Sequence, residues 1–92
     1  MDRLRYLAHL YFHQDWDLEA PTPIDALRNY RHDEPIGNVE TLRDELMDVL
    51  ATDPDEERLA EVWSCAGADW DPHASGWGTY REWFAAMLST MS

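Results

Sequence analysis

The sequence predicts an all-α fold, a bundle of about five short helices around an aromatic core. Three observations point there. Apolar residues recur at i, i+3, i+4 and i+7 in several separate stretches, the period of a helix face. Thr, Asp, Asn and Pro stand between those stretches at positions that start helices. No stretch reads as a strand, and the one long loop holds too many Gly, Asp and Pro residues to be one.

The first helix is expected from about Arg3 to Gln14. Leu4, Leu7, Ala8 and Tyr11 form its apolar face, and Leu10 and Phe12 widen it. Arg5, His9 and His13 fall on the polar side. Pro21 and Pro23 forbid a long continuation, so Trp16 should fold back over the core. The second helix has Thr22 as N-cap, Pro23 at the first position and Asp25 at the third. Ile24, Leu27 and Tyr30 face in, Arg28 and Arg31 face out, and Pro35 stops the helix at or before Glu34. The third follows Gly37-Asn38, with Asn38 as N-cap. Its stripe is Val39, Leu42, Leu46, Val49 and Leu50, and Asp44, Glu45 and Asp48 lie outside as a solvated face. The fourth starts at Asp53-Pro54-Asp55-Glu56, capped by Asp53 with Pro54 in the first position. Leu59, Val62 and Trp63 face in; Asp55, Glu56, Glu57 and Glu61 form the densest acidic patch of any helix. Gly67 to Gly78 is the long loop. The fifth opens on the capping box Thr79-Tyr80-Arg81-Glu82. Its wide face of Tyr80, Trp83, Phe84, Met87, Leu88 and Met91 is expected to pack on the first helix.

Ninety-two residues make one domain, 1–92. Five Trp, four Tyr and two Phe supply most of the core, at about 150–250 Å² buried each. The single cysteine, Cys65, excludes an intrachain disulfide and reads as a small core residue in a reducing compartment. No apolar run approaches a membrane span and no leader peptide is visible, so a cytoplasmic protein is expected. The formal net charge is −12, from 19 acidic and 7 basic residues, and every basic residue is Arg. Such a surface repels nucleic acid and anionic membranes and favours a basic partner.

Little here suggests catalysis. There is no Gly-rich phosphate loop and no nucleophile elbow. Pairs such as Asp15 with Asp17, or Asp69 with Asp71, arise by chance among 19 carboxylates. His9 and His13 share a helix face if the helix persists, and Asp17 would lie one turn on, a spacing that suits a metal. The third ligand is not fixed, and His13 and Gln14 equally suit the task of closing a helix end. No metal, no cofactor and no enzyme activity are expected. A small metal-dependent enzyme using His9, His13 and Asp17 stays as an alternative, beside a general acidic protein-interaction module.

The densest stretch is Tyr11-Phe12-His13-Gln14-Asp15-Trp16-Asp17. With Gly78-Thr79-Tyr80-Arg81-Glu82-Trp83 near the other end, it resembles the signature of immunity proteins from bacterial contact-dependent growth inhibition systems. Order, spacing and length fit over nearly the whole chain. The loop from Asp69 to Trp77 is longer and more aromatic than expected of the family. The resemblance implies a protein that binds and neutralises the C-terminal toxin domain of its cognate effector by stoichiometric occlusion. Many such toxins are nucleases with basic clefts, which the acidic surface would suit. Tyr11, Phe12, His13, Gln14, Trp16, Thr79, Tyr80 and Trp83 are then expected to hold the fold. The expected docking surface is Asp15, Asp17 and Glu19, with Asp33 and Glu34, and with Asp69, Trp70, Asp71 and Trp77 of the long loop. A monomer is preferred.

Overall fold

A computed structural model describes residues 2–92. Five α-helices follow in order: α1 Asp2–Tyr11, α2 Pro23–Asp33, α3 Ile36–Ala51, α4 Glu56–Cys65 and α5 Tyr80–Met91. A 3-10 turn, Trp16–Leu18, lies between α1 and α2. Among the described residues there is no strand.

The Thr22 cap and Pro23 start α2 as the sequence indicates: Thr22 Oγ1 accepts the Asp25 N–H at 3.1 Å and donates to the Asp25 carboxylate at 2.8 Å. The capping box of α5 is complete, with the Thr79 hydroxyl on the Glu82 N–H and the Glu82 carboxylate on the Thr79 N–H.

Three helix boundaries and two residue exposures differ from the sequence expectation. Helix α1 ends at Tyr11, three residues before Gln14. The chain then bends, so Phe12 turns fully inward while Leu10 is left 47% exposed. Helix α3 begins at Ile36, with Pro35 in the cap position rather than Asn38. Pro35 has no N–H to lose and its fixed φ suits the entry. Asn38 instead sends its amide to Glu34 Oε1 at 3.4 Å. Helix α4 is capped by Asp55, whose Oδ1 accepts the Arg58 N–H at 2.8 Å. Asp53 adopts φ +49 just past α3, a left-handed conformation that Asp tolerates better than most residues. Pro54 is buried beyond it, so both residues close α3 instead of opening α4. Cys65 is exposed, not a core residue.

Helix α5 lies most extensively on α3, and also on α2 and α4, and α1 packs on α3 and α2. The first and last helices share one core, to which α1 gives Leu4, Leu7 and Ala8 and α5 gives Trp83, Phe84 and Met87. Phe12, just past α1, adds a ring contact to Trp83 at 5.3 Å between centroids. Two carboxylates on neighbouring helices cap helix ends across the fold. Glu45 of α3 accepts the N–H groups of Arg3 and Leu4 at 3.1 and 3.0 Å, so it is not a merely solvated residue. Glu56 of α4 does the same for the start of α5. Such first-turn N–H groups have no partner within their own helix, and a carboxylate there also meets the positive end of the helix dipole.

Candidate functional site

Phe12, Trp16, Trp63, Trp70, Trp77 and Trp83 form one connected ring cluster, while Tyr6 and Tyr11 pack edge to face on Tyr30 apart from it. Trp83 is the centre of the ring cluster, fully buried, with ring centroids at 4.7 Å from Trp70, 5.3 Å from Phe12 and Trp77, and 5.5 Å from Trp63. Most of these contacts are edge-to-face, the arrangement that ring quadrupoles favour. Phe12 also packs on Trp16 at 5.7 Å and stacks on Trp70 at 5.6 Å. The Trp63 indole N–H donates to the Trp70 carbonyl at 2.8 Å, which pins the long loop onto α4. Trp70 and Trp77 are half-buried lids on this cluster, not free side chains.

Asp15, Asp17 and Glu19 are exposed on the turn that follows α1. The turn is well determined by its own bonds: Trp16 N–H to His13 O at 3.0 Å, Leu18 N–H to Asp15 O at 3.0 Å and Glu19 N–H to Trp16 O at 3.1 Å. His13 holds both ends. Its Nδ1 accepts the Asp15 N–H at 3.1 Å, which leaves the ring proton on Nε2, 3.3 Å from Glu19 Oε2. Because α1 stops at Tyr11, His9 and His13 do not share a helix face. His9 lies instead beside Gly67, whose added Cβ would sit 3.7 Å from His9 Nδ1. The metal-binding spacing of His9, His13 and Asp17 assumed a longer helix. Among the described residues no group of three or more His, Cys, Asp and Glu side chains is placed to hold a metal. Gln14 is exposed within the same turn.

The second acidic segment is brought beside the first by the backbone. The Asp69 N–H donates to the Phe12 carbonyl at 2.8 Å, and the Trp16 and Trp70 rings meet at 5.9 Å. Asp69 and Asp71 are exposed. Asp71 also organises its loop: Oδ1 accepts the N–H groups of His73 and Ala74 at 2.8 and 2.9 Å, and Oδ2 accepts the Tyr80 hydroxyl at 2.6 Å. Partial burial alone would raise its pKa, but the hydrogen bonds from Tyr80, Ala74 and His73 outweigh that and lower it. Burial, followed by the bond to Asp71, pushes Tyr80 up to about 12.

Asp33 is exposed at the end of α2, next to His32. Glu34 behaves differently. Its side chain is only 11% exposed, and its oxygens accept from the hydroxyls of Tyr6 and Tyr11 at 3.3 and 3.1 Å and stand 3.9 Å from Arg3. Burial first and Glu34 second raise the pKa of Tyr11 well above the ordinary tyrosine range. Glu34 thus ties α1, α2 and α3 together. Sequence reasoning had no signal for this. Leu18 stands 82% exposed between Asp17 and Glu19.

No helix among the described residues is long and apolar enough to cross a membrane. Comparison with curated proteins and with solved structures gave no match. The family described as CdiI immunity protein matches residues 1–91. With a match over essentially its whole length, the chain belongs to the CdiI immunity protein family, the immunity proteins of contact-dependent growth inhibition systems.

Proposed function

We propose that this immunity protein neutralises its cognate toxin by stoichiometric occlusion, and that the toxin is a nuclease with a basic cleft. Asp15, Asp17 and Glu19, together with Asp69 and Asp71, stand in for the phosphates of the toxin's nucleic-acid substrate and steer association. Trp70 and Trp77 support that surface from beneath. Asp33 extends the surface; Glu34 is left out of it because its carboxylate is taken up inside the fold. The observation that carries the reading is the bond from the Asp69 N–H to the Phe12 carbonyl. It sets two acidic loops, far apart in sequence, edge to edge on a protein of net charge −12.

The test is co-expression with the toxin domain encoded immediately upstream, followed by binding measurements at 50 and 500 mM salt. Protection from toxicity and a one-to-one complex are expected, with an association rate that falls about tenfold or more at the higher salt. Absence of a complex would end the reading. A tight complex insensitive to salt would retain immunity and remove electrostatic steering.

A further inference from the structure

Leu18 is the most exposed large apolar side chain among the described residues, at 82%, against 69% for Ile36, 51% for Met47 and 47% for Leu10. A single exposed leucine is ordinary on any protein surface. The setting of this one is not. It stands on a turn held by four backbone hydrogen bonds: Trp16 to His13, Leu18 to Asp15, and both Glu19 and Ala20 to Trp16. The His13 ring bridges the Asp15 N–H and the Glu19 carboxylate. Trp16 and Ala20 are drawn inward on either side, Trp16 against Phe12 and Trp70. The exposed side chain therefore sits on a backbone already fixed. Asp15, Asp17 and Glu19 surround it in sequence, all exposed, and among the described residues Asp15 and Asp17 make no ion pair.

We propose that Leu18 is the apolar anchor of the toxin interface, filling an apolar pocket rimmed by Arg or Lys on the toxin domain. The inference rests on the reading of the acidic surface given above and assigns the lasting contact within it. The half-buried Trp70 and Trp77 pack on the aromatic cluster and have less of their surface free for a partner. Leu18 offers nearly its whole side chain, and the turn that carries it loses little freedom on binding. A pre-ordered apolar group flanked in sequence by exposed carboxylates, of which Asp15 and Asp17 make no ion pair among the described residues and Glu19 pairs with His13, matches a pocket whose rim is cationic. Such central, desolvated side chains carry most of an interface's energy, while surrounding charges set the encounter rate.

The experiment measures association and dissociation rates of the purified toxin domain with wild type, Leu18→Ala, Leu18→Met and the triple variant Asp15→Asn, Asp17→Asn, Glu19→Gln. Thermal midpoints are taken alongside, and Leu18→Ala should leave the midpoint unchanged because the side chain is in solvent. The expected result is dissociation roughly 10- to 100-fold faster for Leu18→Ala with association unchanged. Leu18→Met should restore most of the residence time, and the triple variant should slow association. If the triple variant slows association but Leu18→Ala dissociates like wild type, the anchor is overturned while the acidic surface stands. If the triple variant and Leu18→Ala both bind like wild type, the surface itself is overturned, and the anchor with it. Failure of the wild type to bind ends both.

Discussion

The carboxylate of Glu56 caps Tyr80 from another helix: Oε1 accepts the Tyr80 N–H at 2.8 Å, and Oε2 accepts the N–H of Arg81, also at 2.8 Å. Arg81 answers with a bond from its guanidinium to the Pro54 carbonyl just before α4. The start of α4 and the start of α5 thus satisfy each other. Glu56→Ala should lower unfolding free energy by about 1–2 kcal/mol, whereas Glu57→Ala, one residue on and exposed, should change it by less than about 0.5 kcal/mol. Urea titration of the two variants separates a tertiary cap from a solvated carboxylate.

Phe12 and Leu10 test where the first apolar face ends. Phe12 is fully buried among Trp16, Trp63, Trp70 and Trp83. Phe12→Ala should cost about 3–5 kcal/mol, a large part of the total stability of a domain this size. Leu10→Ala should cost less than about 0.5 kcal/mol. Equal losses at the two positions would mean that the helix continues past Tyr11.

The Tyr80–Asp71 bond should appear in the pH dependence of stability. Tyr80 is raised to about 12, by burial first and by Asp71 second. Its contribution is then complete below the ordinary tyrosine value near ~10 and is lost as pH rises through about 12. Asp71 is lowered, so its contribution is present above the ordinary carboxylate value and is lost as pH falls through its lower folded value. Tyr80→Phe should flatten the acid limb and reduce the alkaline one. Some alkaline loss should persist, because burial also raises Tyr30 to about 12. Thermal midpoints across the pH range read both limbs.

Cys65 should react with a thiol reagent in the native protein at a rate close to that of a denatured control. It is exposed at the rim of a groove of about 170 Å³ that Arg5 and Arg58 also line. Cys65→Ser should shift stability by less than about 0.5 kcal/mol. Protection of the thiol until unfolding would mean that the C-terminal turn of α4 is more tightly covered than the structure has it.

Helix identity, the Thr22 and Thr79 caps and most core positions were legible in the sequence because they depend on local spacing and on side chains within one turn. Leu4, Leu7, Leu27, Leu42, Leu46, Leu59 and Met87 lie on the apolar stripes and are all buried. What the local pattern could not supply were events decided between elements. Pro54 follows an Asp and precedes an acidic run, which looks like a helix start, yet packing buries it and passes the cap to Asp55. Glu45 and Glu56 look like any other carboxylate on a polar face; only the approach of α1 and α5 turns them into caps. Glu34 looks like part of an acidic surface until α1 brings Arg3, Tyr6 and Tyr11 to it.

The same division holds for the candidate site. The sequence by itself determined the net charge of −12 and the family, one of immunity proteins. Tertiary structure decided which acids are neighbours: the Asp69–Phe12 backbone bond joins two loops more than 50 residues apart. It also drew the tryptophans into the cluster and left Leu18 outside. The physical reason is that hydrophobic patterning acts over one helical turn, while capping, loop closure and exposure depend on which surfaces meet once the helices pack.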